Sequence, residues 1–428
     1  MGEKMKYSKI IPVLFLFCCF ILNTGCLKNN NENNPEILKL QQQAESGDTN
    51  AQYQLATKYL TGKDIKKDYK KAFYWFSKSA EKGFPLSQYG LAGLYFHGKG
   101  VKKDYEKALY WFTKSAENGN DKAQYFLGNI YEFGAGNIKK DPQKSFEWYN
   151  KSAENGNLEA LHHVGTLYYF GDEFVKKDYK KAFELFTKSA EKGYSESQYY
   201  IAMFYKNGYG GIKQDYKKAV ESFTKLSNNG NTKATKSLAI MYLEGSGVEK
   251  NYQKALDLLI PLAEKGNSEC QLFVGLIYSD DEYEKADYNK AVEWFSKASK
   301  QGDFIAYNAL GVMYLNGTGV KQDYNKAFEL FTKSAKNGYY FANNNIAWMY
   351  ENGLGVKQDI NKAIELYTKE SENNSDQAKY NLGYIYENGL GVKKDKSKAE
   401  YWYSQINSKE KIEKCKKSRE KDSQRLKK

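Results

Sequence analysis

Apolar residues return along this chain at spacings of three and four, stop at a glycine, and resume after an acidic residue. The whole cycle then repeats every 36–37 residues. In the first unit Ala51, Leu55, Ala56 and Tyr59 fall on one side of a helix, and Gly62 ends it. After a short loop Asp68 is placed to cap a second helix carrying Ala72, Trp75, Phe76 and Ala80, and Gly83 closes the unit. The pattern predicts a helical hairpin that cannot bury its apolar side alone.

Ten units keep these positions. The tyrosine recurs at Tyr59, Tyr95, Tyr131, Tyr168, Tyr205, Tyr242, Tyr278, Tyr314, Tyr350 and Tyr386. About a dozen residues after each stands a Lys-Ala pair, from Lys71-Ala72 to Lys398-Ala399, with Lys144-Ser145 as the variant. The slot of Asp68 holds aspartate in every unit except the sixth, which has Asn251. A small residue always fills the place of Ala56, which permits close helix approach. A fixed period of this size means stacked supersecondary units, each burying its neighbour. The tyrosine ring is expected to be a structural filler, with its hydroxyl satisfying a loop carbonyl. Near a helix N-terminus the lysine opposes the macrodipole, so its one expected contribution is its stem packing on an aromatic neighbour.

The pattern A-x-x-x-L-[AG]-x-x-Y-x-x-G, then D-x-x-K-A-x-x-[WL]-[FY]-x-K-[SA]-A-x-x-G, resembles the Sel1-like repeat, a branch of the tetratricopeptide-type solenoids. The resemblance covers residues 47–407. It implies an all-α fold, a right-handed α/α superhelix of about ten helix-turn-helix repeats with first helices lining the concave side. Two departures stand out. Repeat seven has the acidic stretch Ser279 to Glu284 where others have a glycine turn, expected to bend or ornament the stack, and repeat six carries Pro261 inside its second helix, expected to kink it.

The ends differ from the repeats. Lys4, Lys6 and Lys9 precede an apolar run from Ile10 to Leu22, too short to span a membrane as an ordinary helix. The run stops at Asn23-Thr24-Gly25-Cys26, which resembles a bacterial lipobox with asparagine where leucine is usual. Residues 1–25 thus read as a lipoprotein-type leader, with Cys26 as the lipidated first residue; plain leader cleavage is the alternative. Residues 26–46 form a polar tether and leading helix, and 408–428 a basic tail. The expected location is the cell envelope, lipid-anchored.

Charge adds little about partners. Lys and Arg outnumber acids by 65 to 52, and the tail from Lys409 to Lys428 holds ten basic and four acidic residues. Arg419 and Arg425 are the only arginines, which argues against nucleic acid, whose planar bidentate contacts need guanidinium. The tail reads as a solvated charge run. Cys270 takes a slot filled elsewhere by alanine, so it reads as core.

No catalytic set is evident. His97, His162 and His163 form no metal-ligand pattern, and the Gly-x-Gly turns follow helices instead of opening them, so neither metal nor cofactor is expected. Ser79-Ala80-Glu81-Lys82 and Ser189-Ala190-Glu191-Lys192 match S-x-x-K, and some Sel1 proteins are named β-lactamases. Here the paired cysteines of those proteins and the S-D-N and K-T-G companions are missing. Penicillin binding or hydrolysis is therefore the alternative, beside cell-wall polymer binding through the lysines.

The main reading is a monomeric, non-enzymatic interaction scaffold. Two, six and nine residues beyond the first alanine of each first helix (Ala51 in the first unit), side chains face away from the buried stripe. Aromatics collect there: Tyr53, Tyr89, Tyr125, His162, Tyr199 and Tyr380 at the first position, Trp348 and Tyr384 at the second. They are candidate anchors for an extended peptide or protein segment, unless they pack between helices.

Overall fold

Every one of the ten second-helix caps read from sequence starts a helix. Asp68, Asp104, Asp141, Asp178, Asp215, Asn251, Asp287, Asp323, Asp359 and Asp395 each accept a backbone N–H from the first turn that follows. The computed structural model describes residues 34–425. The leader and Cys26 lie outside these described residues. Among them are 22 α-helices and one isolated bridge, Ala135 to Ile138, with no strand.

Two compact units divide the chain, Met1–Ser197 and Gln198–Lys428. In the first, α1 (Pro35–Glu45) leads into the hairpins α2–α3 (Thr49–Thr61, Tyr69–Glu81), α4–α5 (Pro85–His97, Tyr105–Glu117), α6–α7 (Asp121–Phe133, Pro142–Glu154) and α8–α9 (Leu158–Phe170, Tyr179–Glu191). The boundary falls within α10 (Ser195–Asn207). The second holds α11 (Tyr216–Asn228), α12–α13 (Thr232–Glu244, Tyr252–Glu264), α14–α15 (Ser268–Tyr278, Tyr288–Lys300) and α16–α17 (Phe304–Asn316, Tyr324–Lys336). It continues with α18–α19 (Ala342–Asn352, Ile360–Glu372), α20–α21 (Asp376–Asn388, Lys396–Ser404) and α22 (Lys409–Arg425).

Each hairpin buries a thin layer. In the first, Leu55 and Ala56 are fully buried against Ala72, Phe76 and Ala80. The small slot has a measurable reason: a methyl added at Gly311 would stand 2.8 Å from the Phe331 ring of its own hairpin. Polar bonds stitch the helices together both within hairpins and between them. Ser79, Ser115, Ser152 and Ser334 donate to carbonyls of their own hairpins' first turns, Thr49, Pro85, Asp121 and Phe304, at 2.6–2.8 Å. Gln52, Gln88, Gln124 and Gln271 each reach back eight residues to a carbonyl closing the previous helix, at 2.9–3.3 Å.

The two irregular repeats are absorbed locally. Helix α13 runs through Pro261 without a break, so the expected kink does not interrupt it. The acidic turn of repeat seven folds onto repeat six: Lys250 pairs with Glu282 at 2.6 Å, and the Tyr252 hydroxyl donates to Asp280 at 2.8 Å. Tyr283 takes the buried place of the missing turn, 8% exposed. Cys270 is fully buried.

Candidate functional site

The recurring tyrosine, aspartate and lysine form one closed circuit. In all ten repeats the capping residue's backbone N–H donates to the tyrosine's backbone carbonyl, at 2.8–3.0 Å. The cap's carboxylate or amide oxygen then accepts from the lysine's N–H, as Asp141 does from Lys144 at 3.0 Å. The lysine ammonium finally returns over the tyrosine ring, 4.8–5.5 Å from its centre for nine of the ten, from Lys71 over Tyr59 to Lys398 over Tyr386. In repeat eight Lys326 turns to Glu329 at 2.8 Å. Ring and carbonyl, not chiefly the hydroxyl, therefore fix the turn, and the cation–π contact explains the lysine. This circuit is the frame on which the variable face stands.

The candidate anchors rest on that frame one by one. Tyr53 packs on Phe76, Tyr89 on Phe112, Tyr125 on Tyr149, His162 on Phe186 and Tyr199 on Phe223, with ring centres 5.3–6.1 Å apart. Each thus covers the second helix of its own hairpin and is partly buried. Burial, with acidic neighbours, pushes the Tyr89 and Tyr125 phenols up to about 12. Trp348 packs into the repeat-eight to repeat-nine cluster. From Tyr53 to Tyr199 these residues sit one to a repeat, each on the second-helix ring of its own hairpin.

One pairing escaped the reading of the sequence although it is written there. Where the second-helix Phe slot holds tyrosine (Tyr149, Tyr367, Tyr403), the first-helix residue just after the recurring tyrosine is glutamate (Glu132, Glu351, Glu387). Tyr149 donates to Glu132 at 2.6 Å, Tyr367 to Glu351 at 3.1 Å and Tyr403 to Glu387 at 2.9 Å. The seven other repeats have Phe or Leu in that slot and no glutamate opposite. A phenol directed at the variable face is matched by an acceptor there.

At the C-terminal end this face is occupied. The tail read as solvated charge is α22, and Arg419, 8% exposed, is buried by it in repeats nine and ten. The guanidinium pairs with Glu351, itself 5% exposed, and donates to Asn381 at 3.1 Å. Its carbon lies 3.9 Å from the centre of the Tyr384 ring. Cys415 and Ile412, one and two turns earlier, pack on Tyr380, which is 6% exposed. Lys411 adds a pair with Asp376 at 2.9 Å. So Tyr380 and Tyr384, alone among the proposed anchors, are brought together, and what they hold is the chain's own helix.

The S-x-x-K serines are placed for packing. Ser79 and Ser189 are fully buried and donate to the carbonyls of Thr49 and Leu158, at 2.8 and 3.1 Å. Lys82 reaches the Gly47 carbonyl at 2.7 Å, away from the serine. A nucleophile needs access and an adjacent base, and this motif has neither.

The repeat-by-repeat geometry agrees with comparisons to known proteins. The family model described as Sel1 repeat matches residues 49–84, 85–120, 121–157, 158–194, 195–231, 233–267, 268–303, 305–339, 341–375 and 376–406. Among solved structures the chain is similar to c5321, a protective antigen of uropathogenic Escherichia coli strains with an SLR fold, at 29% identity and TM-score 0.62 over 92% of each chain. It is also similar to a Sel1 repeat protein from Oxalobacter formigenes, at 28% identity and TM-score 0.55, over 78% of this chain and 98% of that one. No curated protein matches the sequence.

Proposed function

The chain belongs to the Sel1-repeat family, and on that premise we propose that it is a non-enzymatic scaffold whose first-helix face grips a segment of another protein. Sel1-repeat solenoids are typically protein-interaction scaffolds. One observation carries the finer reading: helix α22 is seated on that face over Tyr380 and Tyr384. A surface that buries a basic amphipathic helix of its own chain has the chemistry to bury a partner's segment by the same contacts. In the first unit the corresponding row is Tyr53, Tyr89, Tyr125 and His162, where partly buried rings present an amphipathic edge.

The proposal includes location. The basic leader, its short apolar run and Cys26 support export and lipid anchoring at the envelope. The likeness to a protective antigen is in keeping with that location. Among the described residues no helix is long and apolar enough to cross a membrane.

Co-purification from a membrane extract tests the reading, comparing wild type with the Tyr89→Ala/Tyr125→Ala variant at matched helical content. The expected result is loss of partners that wild type retains. An unchanged partner set would count against the face. Fractionation of wild type and Cys26→Ala checks the anchor; equal membrane retention of both would remove it.

A further inference from the structure

Helix α22 is held by very little. Of its residues from Lys409 to Lys421, only Ile412, Cys415 and Arg419 are not exposed, and they recur at spacings of three and four along one side. The arginine makes the contact specific. In a chain whose basic side chains are otherwise almost all lysine, one of only two arginines occupies a place that suits a flat, forked cation. Its face stacks on Tyr384 while its edge meets the Glu351 carboxylate and the Asn381 amide oxygen. Tyr367, from the second helix behind, donates to the same carboxylate at 3.1 Å and holds it in place. Lysine, a compact ammonium, cannot stack and fork at once.

We propose that Glu351, Tyr367, Asn381 and Tyr384 form a receptor for an arginine carried on an amphipathic helix, that α22 fills it in cis, and that a partner helix of the same chemistry displaces α22. The partner carries an arginine with small or aliphatic residues four and seven positions earlier, as Arg419 follows Cys415 and Ile412. This rests on the reading of the first-helix face as a binding surface. A short tether gives α22 an effective concentration of about millimolar, so only a partner that binds better than α22 itself opens the site. The device sets a threshold: weak basic peptides are refused, and a matched helix both binds and releases the tail.

Two measurements on the full-length chain test it. In wild type, alkylation of Cys415, followed by peptide mass mapping, should run at least about tenfold faster than that of Cys270, because α22 opens on its own while Cys270 waits for its repeat to unfold. Equal rates would make α22 an integral part of the stack and overturn the proposal. In the Arg419→Glu variant, repulsion from Glu351 should vacate the receptor, and a labelled peptide of residues 408–428 should bind saturably. Wild type, already filled, should bind it at least about tenfold more weakly. A peptide carrying the Arg419→Lys change should bind the variant about tenfold more weakly than the parent peptide. Equal binding by both chains, or by both peptides, overturns the proposal. Either failure leaves the first-unit partner test untouched, so the two readings fall separately.

Discussion

Repeats three and nine set a glutamate against a tyrosine in the same place and complete the pair differently. In repeat three Glu132 accepts from Tyr149, stands 3.5 Å from His163 of the next hairpin, and keeps 35% of its side chain exposed. In repeat nine Glu351 accepts from Tyr367, is closed over by Arg419, and keeps 4%. The frame behind them is the same: Asp141 donates to the Tyr131 carbonyl at 2.8 Å and Asp359 to that of Tyr350 at 3.0 Å. Lys144 and Lys362 lie over those tyrosine rings at 5.5 and 4.8 Å. A constant frame thus carries a face whose chemistry is chosen repeat by repeat, and the difference lies in what is laid on that face.

Removing the shared frame should have the largest effect and should act alike in both repeats. Tyr131→Ala and Tyr350→Ala should each cost about 3 kcal/mol in urea denaturation, as large aromatic truncations do. A strongly unequal cost would mean that the frame is not common property. Removing the acid should then separate the repeats. Glu351→Ala strands a buried guanidinium and should cost about 2 kcal/mol, below the usual toll of a broken buried pair because α22 can leave and rehydrate Arg419. Glu132→Ala leaves Tyr149 its bond to Asn129 at 3.0 Å and should cost about 1 kcal/mol. Equal losses would erase the distinction between an open and a filled site.

Titration probes the first unit's face. The Tyr89 and Tyr125 phenols, buried in the fold, sit near 12 against an ordinary 10.0. Raised folded values mean that their contribution to stability is intact below pH 10 and is lost as pH rises towards 12. The Tyr89→Phe/Tyr125→Phe variant should lose less stability across that window; an identical alkaline profile would place both phenols in solvent. The smallest effect belongs to the recurring lysine. Lys144→Met and Lys362→Met should each lower the urea midpoint slightly, as loss of an exposed cation–π contact does, whereas Lys326, which pairs with Glu329 instead, should lose no such contribution on substitution.

Much of this was legible in the sequence because it is local. A capping aspartate, a terminal glycine and a spacing of three and four act within a turn or two, so hairpins and their stacking could be read directly. For the lysine an aromatic neighbour was legible but not which one, because the ring its ammonium meets is that of Tyr59 or its counterparts on the preceding helix, twelve or thirteen residues away. The row of Tyr53, Tyr89 and Tyr125 was placed opposite the buried stripe, yet each first helix is covered on that side by its own second helix, so those rings are half inside. The docking of α22 depends on tertiary placement, and net charge alone pointed to solvent. The clues to it were compositional: the scarcity of arginine, and the glutamate that appears only where tyrosine replaces phenylalanine.

The central claim is that partners meet the first-helix face and not the second-helix side. A photoreactive amino acid placed in living cells at Thr166, on the first-helix face of repeat four, and separately at Tyr110, 55% exposed on the second helix of repeat two, tests this directly. The account expects protein adducts from position 166 and none of comparable yield from 110. Adducts from 110 alone would contradict it.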